Sequence, residues 1–379
     1  MRINVDLRES FEYGGISNFK RNLSKELLQF GDLFLTGCFN WSRASTLDKF
    51  GWFDGKIKRS IVPDQIIYRF AEKFNIDIPI SYETLMQSSS DVNLFLTYRI
   101  PKVKYNSLVL STIHDIILFK VDSESRYVKE KYESILRHTL SKSHGILTVS
   151  ESAKSDLIDY FNLNPDNIHI VHNGIELQQF EEELSKDRLT ALTQKYGLPE
   201  TFVLYFGGYR VHKNIERLLQ AYALLPFDIR KELKLVITNK NPQLLKLATQ
   251  LKIDSDTIFT GFIDEKDKCA MYKAAYIVYY ASLYEGFGVP VIESQICRTP
   301  VITSNTSSLP ESSGGFAELI NPYSVDEINQ ALVYLYKDNA RRDYLISHGV
   351  ENAMQYTWQR GAQELYNILI NNISKNGGK

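Results

Sequence analysis

The chain has 379 residues, enough at roughly 150 residues per domain for two or three domains, each with its own core. Its 44 Lys and Arg face 45 Asp and Glu, with 22 of each sign up to Phe180 and 22 against 23 beyond it; neither half is a polycation, which excludes a general nucleic-acid binder. Three cysteines, Cys38, Cys269 and Cys297, stand far apart with no CxxC pairing, which argues against zinc and a disulfide framework and for a reducing compartment.

No run reaches the ~18 apolar residues of a membrane span, and the first six residues read as a strand rather than a leader, so a soluble cytoplasmic protein is expected. Short apolar runs alternate with longer amphipathic ones, the pattern of βαβ units around a parallel sheet. A first series of strands is expected at 2–6, 33–38, 92–97, 108–114, 145–149 and 168–171, with a helix over 16–30. A second series is expected at 202–206, 233–238, 258–262, 276–281 and 300–304, with helices over 215–225 and 290–297. Between the series, 177–197 is polar and charge-rich, which puts a linker near 175–190. The fold class is α/β, two doubly wound domains; ligands of such sheets lie beyond the carboxyl ends of the strands, so two facing sheets would make one deep cleft.

Three strand-to-helix junctions have the composition of anion sites. In the first, Gly14 and Gly15 precede a helix whose first turn offers unpaired N–H groups; either they let a ligand approach the backbone or they serve a turn that needs glycine dihedrals. In the second, Gly207 and Gly208 are followed by Arg210, Lys213 and Asn214, the last a candidate N-cap. Cations there oppose the helix dipole, so the segment is either an anion site or a solvated basic turn. In the third, the loop 282–289 carries Glu285, Gly286 and Gly288, and Pro290 opens a helix with Glu293 in its first turn. Helix rise is ~1.5 Å per residue, so both carboxylates can border the space above the strand. Glu293 alone could equally be a first-turn acid complementing the dipole.

The run from Glu285 to Glu293, EGFGVPVIE, resembles the E-x7-E signature of retaining glycosyltransferases of family 4, with the GT-B fold. The Gly14-Gly15-Ile16 loop, His114-Asp115, the Thr148-Val149-Ser150 turn, Asn173-Gly174 and Lys213-Asn214 follow in the family's order, and Tyr356-Thr-Trp358 resembles its aromatic pair before the closing helix. The resemblance implies two facing Rossmann-like domains: an acceptor-binding one over 1–180 and a nucleotide-sugar-binding one over 181–355, with 356–379 a helix returning to the first. It implies that Glu293 binds the donor ribose, Glu285 lies near the transferred sugar, and Gly286, Phe287, Gly288 and Val289 hold sugar hydroxyls and phosphate through their amides. It also implies that Lys213 neutralises the diphosphate, His114 lies beside the sugar, the Gly14-Gly15 loop closes over phosphate and acceptor, and backbone at Ile263 reads the base. The family's usual phosphate arginine falls at Gly208 here, and Arg210, three residues before Lys213, either substitutes for it or points elsewhere.

The expected activity is transfer of a hexose with retention, the donor a nucleotide-diphosphate sugar, with GDP-mannose favoured by the likeness to bacterial mannosyltransferases. The acceptor would be a glycan or lipid-linked, in polysaccharide, lipopolysaccharide or glycoprotein glycan synthesis. No cofactor and no metal is expected: Asp254-Ser-Asp256 offers a DxD but reads as a surface turn. The alternative is a catalytically silent nucleotide-sugar-binding partner or regulatory subunit. The segment 50–73 interleaves Trp52, Phe53, Lys56, Lys58 and Arg59 with apolar Ile66, Ile67, Phe70 and Ala71, followed by Phe74. With Arg99, Lys102 and Lys104 it reads either as core or as a peripheral contact with the inner membrane leaflet.

Overall fold

The computed structural model describes residues 1–7, 14–39, 53, 56–62, 70–71, 73, 76–122, 124–180 and 183–376. The chain divides into two compact units, one of Met1–Ile116, Glu124–Gly174 and Trp358–Lys379, the other of Ile117–Ser123 and Ile175–Thr357.

In the first unit the strands are β1 (Arg2–Asp6), β2 (Phe34–Phe39), β3 (Lys56–Arg59), β4 (Ile78–Ser81), β5 (Val92–Phe95), β6 (Val103–Lys104), β7 (Leu108–Thr112), β8 (Gly145–Thr148) and β9 (Ile168–Ile170). Seven of them form a parallel sheet in the order β3-β2-β1-β5-β7-β8-β9, and β4 pairs with β6 beside it. The second unit holds β10 (Phe202–Tyr205), β11 (Lys234–Ile237), β12 (Thr257–Phe259), β13 (Ile277–Tyr280), β14 (Val301–Ser304) and β15 (Glu318–Ile320). They form a parallel sheet in the order β12-β11-β10-β13-β14-β15. This is the 3-2-1-4-5-6 order of the Rossmann fold.

Every residue of β5, β8, β10, β13 and β14 is buried. A parallel strand covered by helices on both faces has no wet side, which is why these segments read as continuous apolar runs rather than alternations. The helices supply the cover. Ile215–Ala223 buries Ile215, Leu218, Leu219 and Tyr222, a stripe at helical spacing laid on Val203, Leu235 and Ile277.

One expectation is corrected. The stretch read as a linker contains the helix Lys186–Tyr196, whose N-terminus is capped by Ser185 accepting from the Arg188 N–H and whose end is turned by Gly197 at φ 66°. Its apolar content is low because only Leu192 is buried. In the basic aromatic segment, Lys56–Arg59 is the edge strand β3, paired in parallel with β2; cations suit an edge because they discourage further pairing. Phe53 and Ala71 are core residues and Phe70 is exposed, whereas Trp52, Ile66, Ile67 and Phe74 lie outside the described residues.

The last helix, Trp358–Asn376, packs within the first unit against the helix Gly15–Leu27. Trp358 meets Phe19 edge-on at 6.2 Å and Tyr366 stacks on Phe30 at 4.5 Å. Gly361 permits the approach: a Cβ there would stand 2.9 Å from the His172 carbonyl oxygen and 3.3 Å from Leu23 Cδ2. Gly361→Val is therefore expected to lower stability by about 2 kcal/mol through overpacking, outweighing the few tenths gained in helix propensity. Thermal unfolding reads this out, and an unchanged midpoint would mean that the helix is not seated there.

Candidate active site

In the second sheet the strand order reverses between β10 and β13, so the segments leaving their carboxyl ends flank the topological switch point where Rossmann-type sheets bind ligands. Lys213 follows β10 at the end of a 3₁₀ turn, Val211–Lys213, and Glu285 follows β13. The two loops are stitched together. Asn214 is buried at φ 61°, and its side-chain amide donates to the carbonyls of Ala281 at 3.1 Å and Pro322 at 2.7 Å. The Leu283 N–H donates to the His212 carbonyl at 2.7 Å. Asn214 is thus a clamp between loops and not the side-chain N-cap expected from its place before the helix; its left-handed backbone aims the amide away from the helix amides.

This clamp brings two expected site residues into contact. Lys213 Nζ donates to Glu285 Oε1 at 2.7 Å and to the Tyr280 hydroxyl at 2.6 Å, while Tyr280 donates to the same Oε1 at 3.0 Å. The side chains of Lys213 and Glu285 are 19% and 13% exposed. Burial by itself would raise the Glu285 carboxyl, but Lys213, with smaller contributions from Ser282 and then His212, outweighs it and holds the group below its ordinary range. Burial and then Glu285 push the Tyr280 hydroxyl far up, so it stays protonated and remains a donor.

The loop after β13 is fixed from the segment after β14. Ser307 Oγ accepts from the Glu285 N–H at 3.1 Å, and Ser308 Oγ lies 2.9 and 2.7 Å from the carbonyls of Glu285 and Phe287. Gly288 has φ 114°, and a Cβ on it would come within 2.7 Å of Leu309 Cδ2. That position is glycine for packing as well as for access. Phe287 is buried with its ring edge-on to Tyr356 at 5.3 Å. Val289 opens the helix Val289–Ile296 with Pro290 in its first turn.

Glu293 is the fifth residue of that helix, which has no acid in its first turn, so a dipole role is replaced by specific partners. Its Oε1 accepts from Lys268 Nζ at 2.9 Å and its Oε2 from the Tyr272 hydroxyl at 3.0 Å. Burial lowers the Lys268 ammonium but Glu293 and Glu265 more than compensate, so its pKa is raised. A carboxylate has about four acceptor sites, so each oxygen of Glu293 keeps room for a further donor.

The other expected residues of this unit are more loosely placed. Arg210 is exposed; its carbonyl accepts from the Lys213 N–H at 2.9 Å, and its side chain makes no hydrogen bond or ion pair among the described residues. The Gly208 carbonyl accepts from the Tyr205 hydroxyl at 3.0 Å. Gly286 and Ile263 are buried. Asp254–Asp256 forms a 3₁₀ turn before β12, at the opposite end of the sheet from these loops, and Asp256 pairs with Lys234 at 2.6 Å.

In the first unit, Gly14 adopts φ 153° as the residue before the helix that Gly15 opens, and a Cβ at either would meet nothing within 4 Å. His114 follows β7. Its ring lies edge-on to Phe19 at 4.8 Å, and both ring nitrogens are buried with no hydrogen-bond partner. A strand-end histidine bonding backbone is therefore not what the ring is. Burial, helped by Lys20, takes its pKa down to about 4, so the imidazole is neutral. Lys20 is itself buried, 3.7 Å from Asp6.

Sequence reasoning missed Tyr280, Tyr272, Lys268, Ser307 and Ser308. Tyr280 and Tyr272 sat in apolar patterns where an aromatic reads as core, and the serines carry no motif. Among the described residues no group of three or more His, Cys, Asp or Glu is placed to hold a metal.

Two Rossmann-like units with polar side chains gathered beyond the carboxyl ends of their strands define a protein of the GT-B class. Residues 13–179 match the family model described as Glycosyltransferase Family 4, and residues 190–351 the one described as Glycosyl transferases group 1. The chain belongs to the family 4 glycosyltransferases. It is similar to the O-antigen chain mannosyltransferase B of Escherichia coli, 29% identical over 281 residues that cover 73% of this chain and 72% of that one. It is also similar to the serotype-specific mannosyltransferase WbdA of Escherichia coli, 30% identical over 58% of this chain but only 28% of that longer protein. Among solved structures, sucrose-phosphate synthase from Thermosynechococcus elongatus has the same fold, with a TM-score of 0.74 at 18% identity over 99% of both chains.

Lys213→Met is expected to leave Glu285 a buried carboxylate without its counter-charge, with the Tyr280 hydroxyl still donating to it, costing about 3 kcal/mol at pH 7. In the wild type Glu285 is depressed, so its contribution is present above the unfolded carboxyl value and is lost as pH falls through the folded one. In the variant the carboxyl is raised, and its penalty is relieved by protonation as pH falls. The stability gap, read from urea unfolding, should narrow from pH 7 towards about 4; a constant gap would contradict the pairing.

Proposed function

We propose that this protein transfers a hexose, with retained anomeric configuration, from a nucleotide-diphosphate sugar to a glycan or lipid-linked acceptor in the building of a cell-surface polysaccharide, lipopolysaccharide or glycoprotein glycan. The observation that carries the reading is the Lys213–Glu285 pair at the switch point of a 3-2-1-4-5-6 sheet. The names of the two Escherichia coli relatives favour mannose and an O-antigen-like product, and make GDP-mannose the first donor to try.

The chemistry follows from charge. Breaking the bond between sugar and phosphate builds positive charge at the anomeric carbon and negative charge on the departing diphosphate, so preorganised positive groups near the latter lower the barrier. Lys213 and the N-terminus of the helix Val289–Ile296 have that sign, and the unpaired, exposed Arg210 is free to add to it. Glu285 is placed to accept from hydroxyls of the transferred sugar, and Glu293, with an open site on each oxygen, to accept from the ribose diol. His114, in the first unit, is neutral with both ring nitrogens unsatisfied, which suits it to hydrogen-bond a hydroxyl group. Attack on the same face as departure, with the leaving phosphate taking the acceptor proton, needs no metal and no covalent intermediate on Glu285.

Release of nucleoside diphosphate from a panel of donors tests this. Lys213→Ala is expected to lower turnover about 10²- to 10³-fold, the usual loss for one preorganised donor. The true donor at 100 times its dissociation constant adds about 2.7 kcal/mol in a thermal shift. Equal rates in wild type, Glu285→Ala and Lys213→Ala would defeat the assignment and leave nucleotide-sugar binding without catalysis.

We also propose that the first unit meets an anionic membrane surface peripherally. No helix among the described residues is long and apolar enough to cross a membrane. Ile61, Phe70, Ile76 and Ile80 are exposed, and backbone hydrogen bonds from Ile76 to Ala71 and from Ile78 to Lys102 tie their segments to the cations Lys102 and Lys104. Exposed apolar side chains beside lysines suit a charged interface. The protein should float with vesicles containing phosphatidylglycerol and not with pure phosphatidylcholine; sedimentation away from both would remove this part of the reading.

A further inference from the structure

We infer that Tyr280 is a positioning residue of the transfer site, whose hydroxyl fixes Lys213 and Glu285 relative to the sheet; this rests on the reading of that pair given above. Tyr280 is the last residue of β13, a central strand paired with both β10 and β14, and the residue is 3% exposed. Lys213 and Glu285 stand on segments that leave the sheet, one on a 3₁₀ turn and the other on a loop. Of the three, Tyr280 alone is anchored in a strand.

The hydrogen-bond ring is complete in its donors and acceptors. Lys213 spends two of its three N–H groups, on Tyr280 at 2.6 Å and on Glu285 at 2.7 Å. The tyrosine hydroxyl accepts the first and gives its only proton to Glu285 Oε1 at 3.0 Å. One ammonium N–H is left over for a ligand. A diphosphate drawing Lys213 towards itself weakens the ammonium's hold on Glu285, and a buried carboxylate without a donor is costly. The Tyr280 proton remains on Oε1 throughout, so the carboxylate stays ionised and aimed while the ammonium is shared. Two phenolic neighbours would not serve in its place: Tyr205 donates to the Gly208 carbonyl and Tyr272 to Glu293.

The groups facing Glu285 are Lys213 and His212 from the segment after β10, Tyr205 from β10 itself, Tyr280, and Ser282 from the loop after β13; Glu293, on the helix Val289–Ile296, and Ser282 also face Tyr280. Tyr280→Phe alters only one of these. A donor to the ionised form lowers a carboxyl pKa, so its removal moves Glu285 upward.

Two measurements test the inference. Without substrate, a carbon-13 titration of glutamate-labelled protein, with Glu285 assigned through Glu285→Gln, should show its midpoint rising in Tyr280→Phe. In transfer assays with the wild type's best donor, kcat should fall about ten- to a hundredfold, the loss expected for one hydrogen bond to a charged group, with the donor KM changing by less than about threefold. The acid limb of kcat/KM should move to higher pH. Difluorotyrosine at the same position, a stronger donor, should retain most of kcat and move that limb the other way. An unshifted Glu285 midpoint in a folded Tyr280→Phe protein overturns the inference. So does a rate loss with an unmoved acid limb, since that is what a purely structural change would give. A wild type that transfers no sugar defeats the proposed activity, and the titration still decides the role of Tyr280.

Discussion

The second unit is organised around a buried charge that is kept ionised. A carboxylate with 13% of its side chain exposed would normally protonate or seek water, and here an ammonium and a phenol hold it charged. That constraint explains otherwise unconnected features. Lys213 reaches the spot because Asn214 clamps its turn to the carbonyls of Ala281 and Pro322. The segment bearing Glu285 keeps its course because Ser307 and Ser308 bond its backbone from the next strand's exit. Neighbouring strand exits are thereby joined into one rigid rim, built by short polar side chains that satisfy loop carbonyls and amides which would otherwise cost free energy when buried.

The site has two carboxylates with different supports, and the difference bears on what each can do. Glu285 shares one oxygen between two donors, which concentrates negative charge and orients it. Glu293 receives one donor on each oxygen. The first arrangement favours a single directed contact and the second favours a pair of contacts with spacing set by the carboxylate itself, such as a vicinal diol. Both depend on tyrosine hydroxyls whose burial makes loss of their protons unfavourable.

Much of this was legible in the sequence, for physical reasons. Central strands such as Phe202–Tyr205 and Ile277–Tyr280 are covered on both faces, and their apolar runs announce them. The strands that escaped notice are edges or short pairs: Lys56–Arg59, Ile78–Ser81, Val103–Lys104 and Glu318–Ile320 lack a two-sided apolar cover, so nothing in their composition sets them apart from loops. Lys213, Glu285 and Glu293 could be picked out because charged residues beside glycines at strand exits have few structural excuses. Tyr280 and Tyr272 could not, because a buried tyrosine displays its apolar ring to pattern analysis and hides the hydroxyl that matters. Asn214 stands out in the sequence while its role does not, since a left-handed backbone angle redirects a side chain that spacing alone assigns to a helix cap.

The seating of the final helix has a consequence for biogenesis. The helix Trp358–Asn376 contributes Ala362, Leu365 and Leu369 to burial, and it belongs with strands from the first half of the polypeptide. During synthesis the ribosome has issued the entire second unit before this segment emerges. The amino-terminal body must therefore wait, with the apolar face of the helix Gly15–Leu27 uncovered, until the second unit has been made. Its completion follows that of the second unit, and a nascent chain that stops short of this helix is left with an open seam.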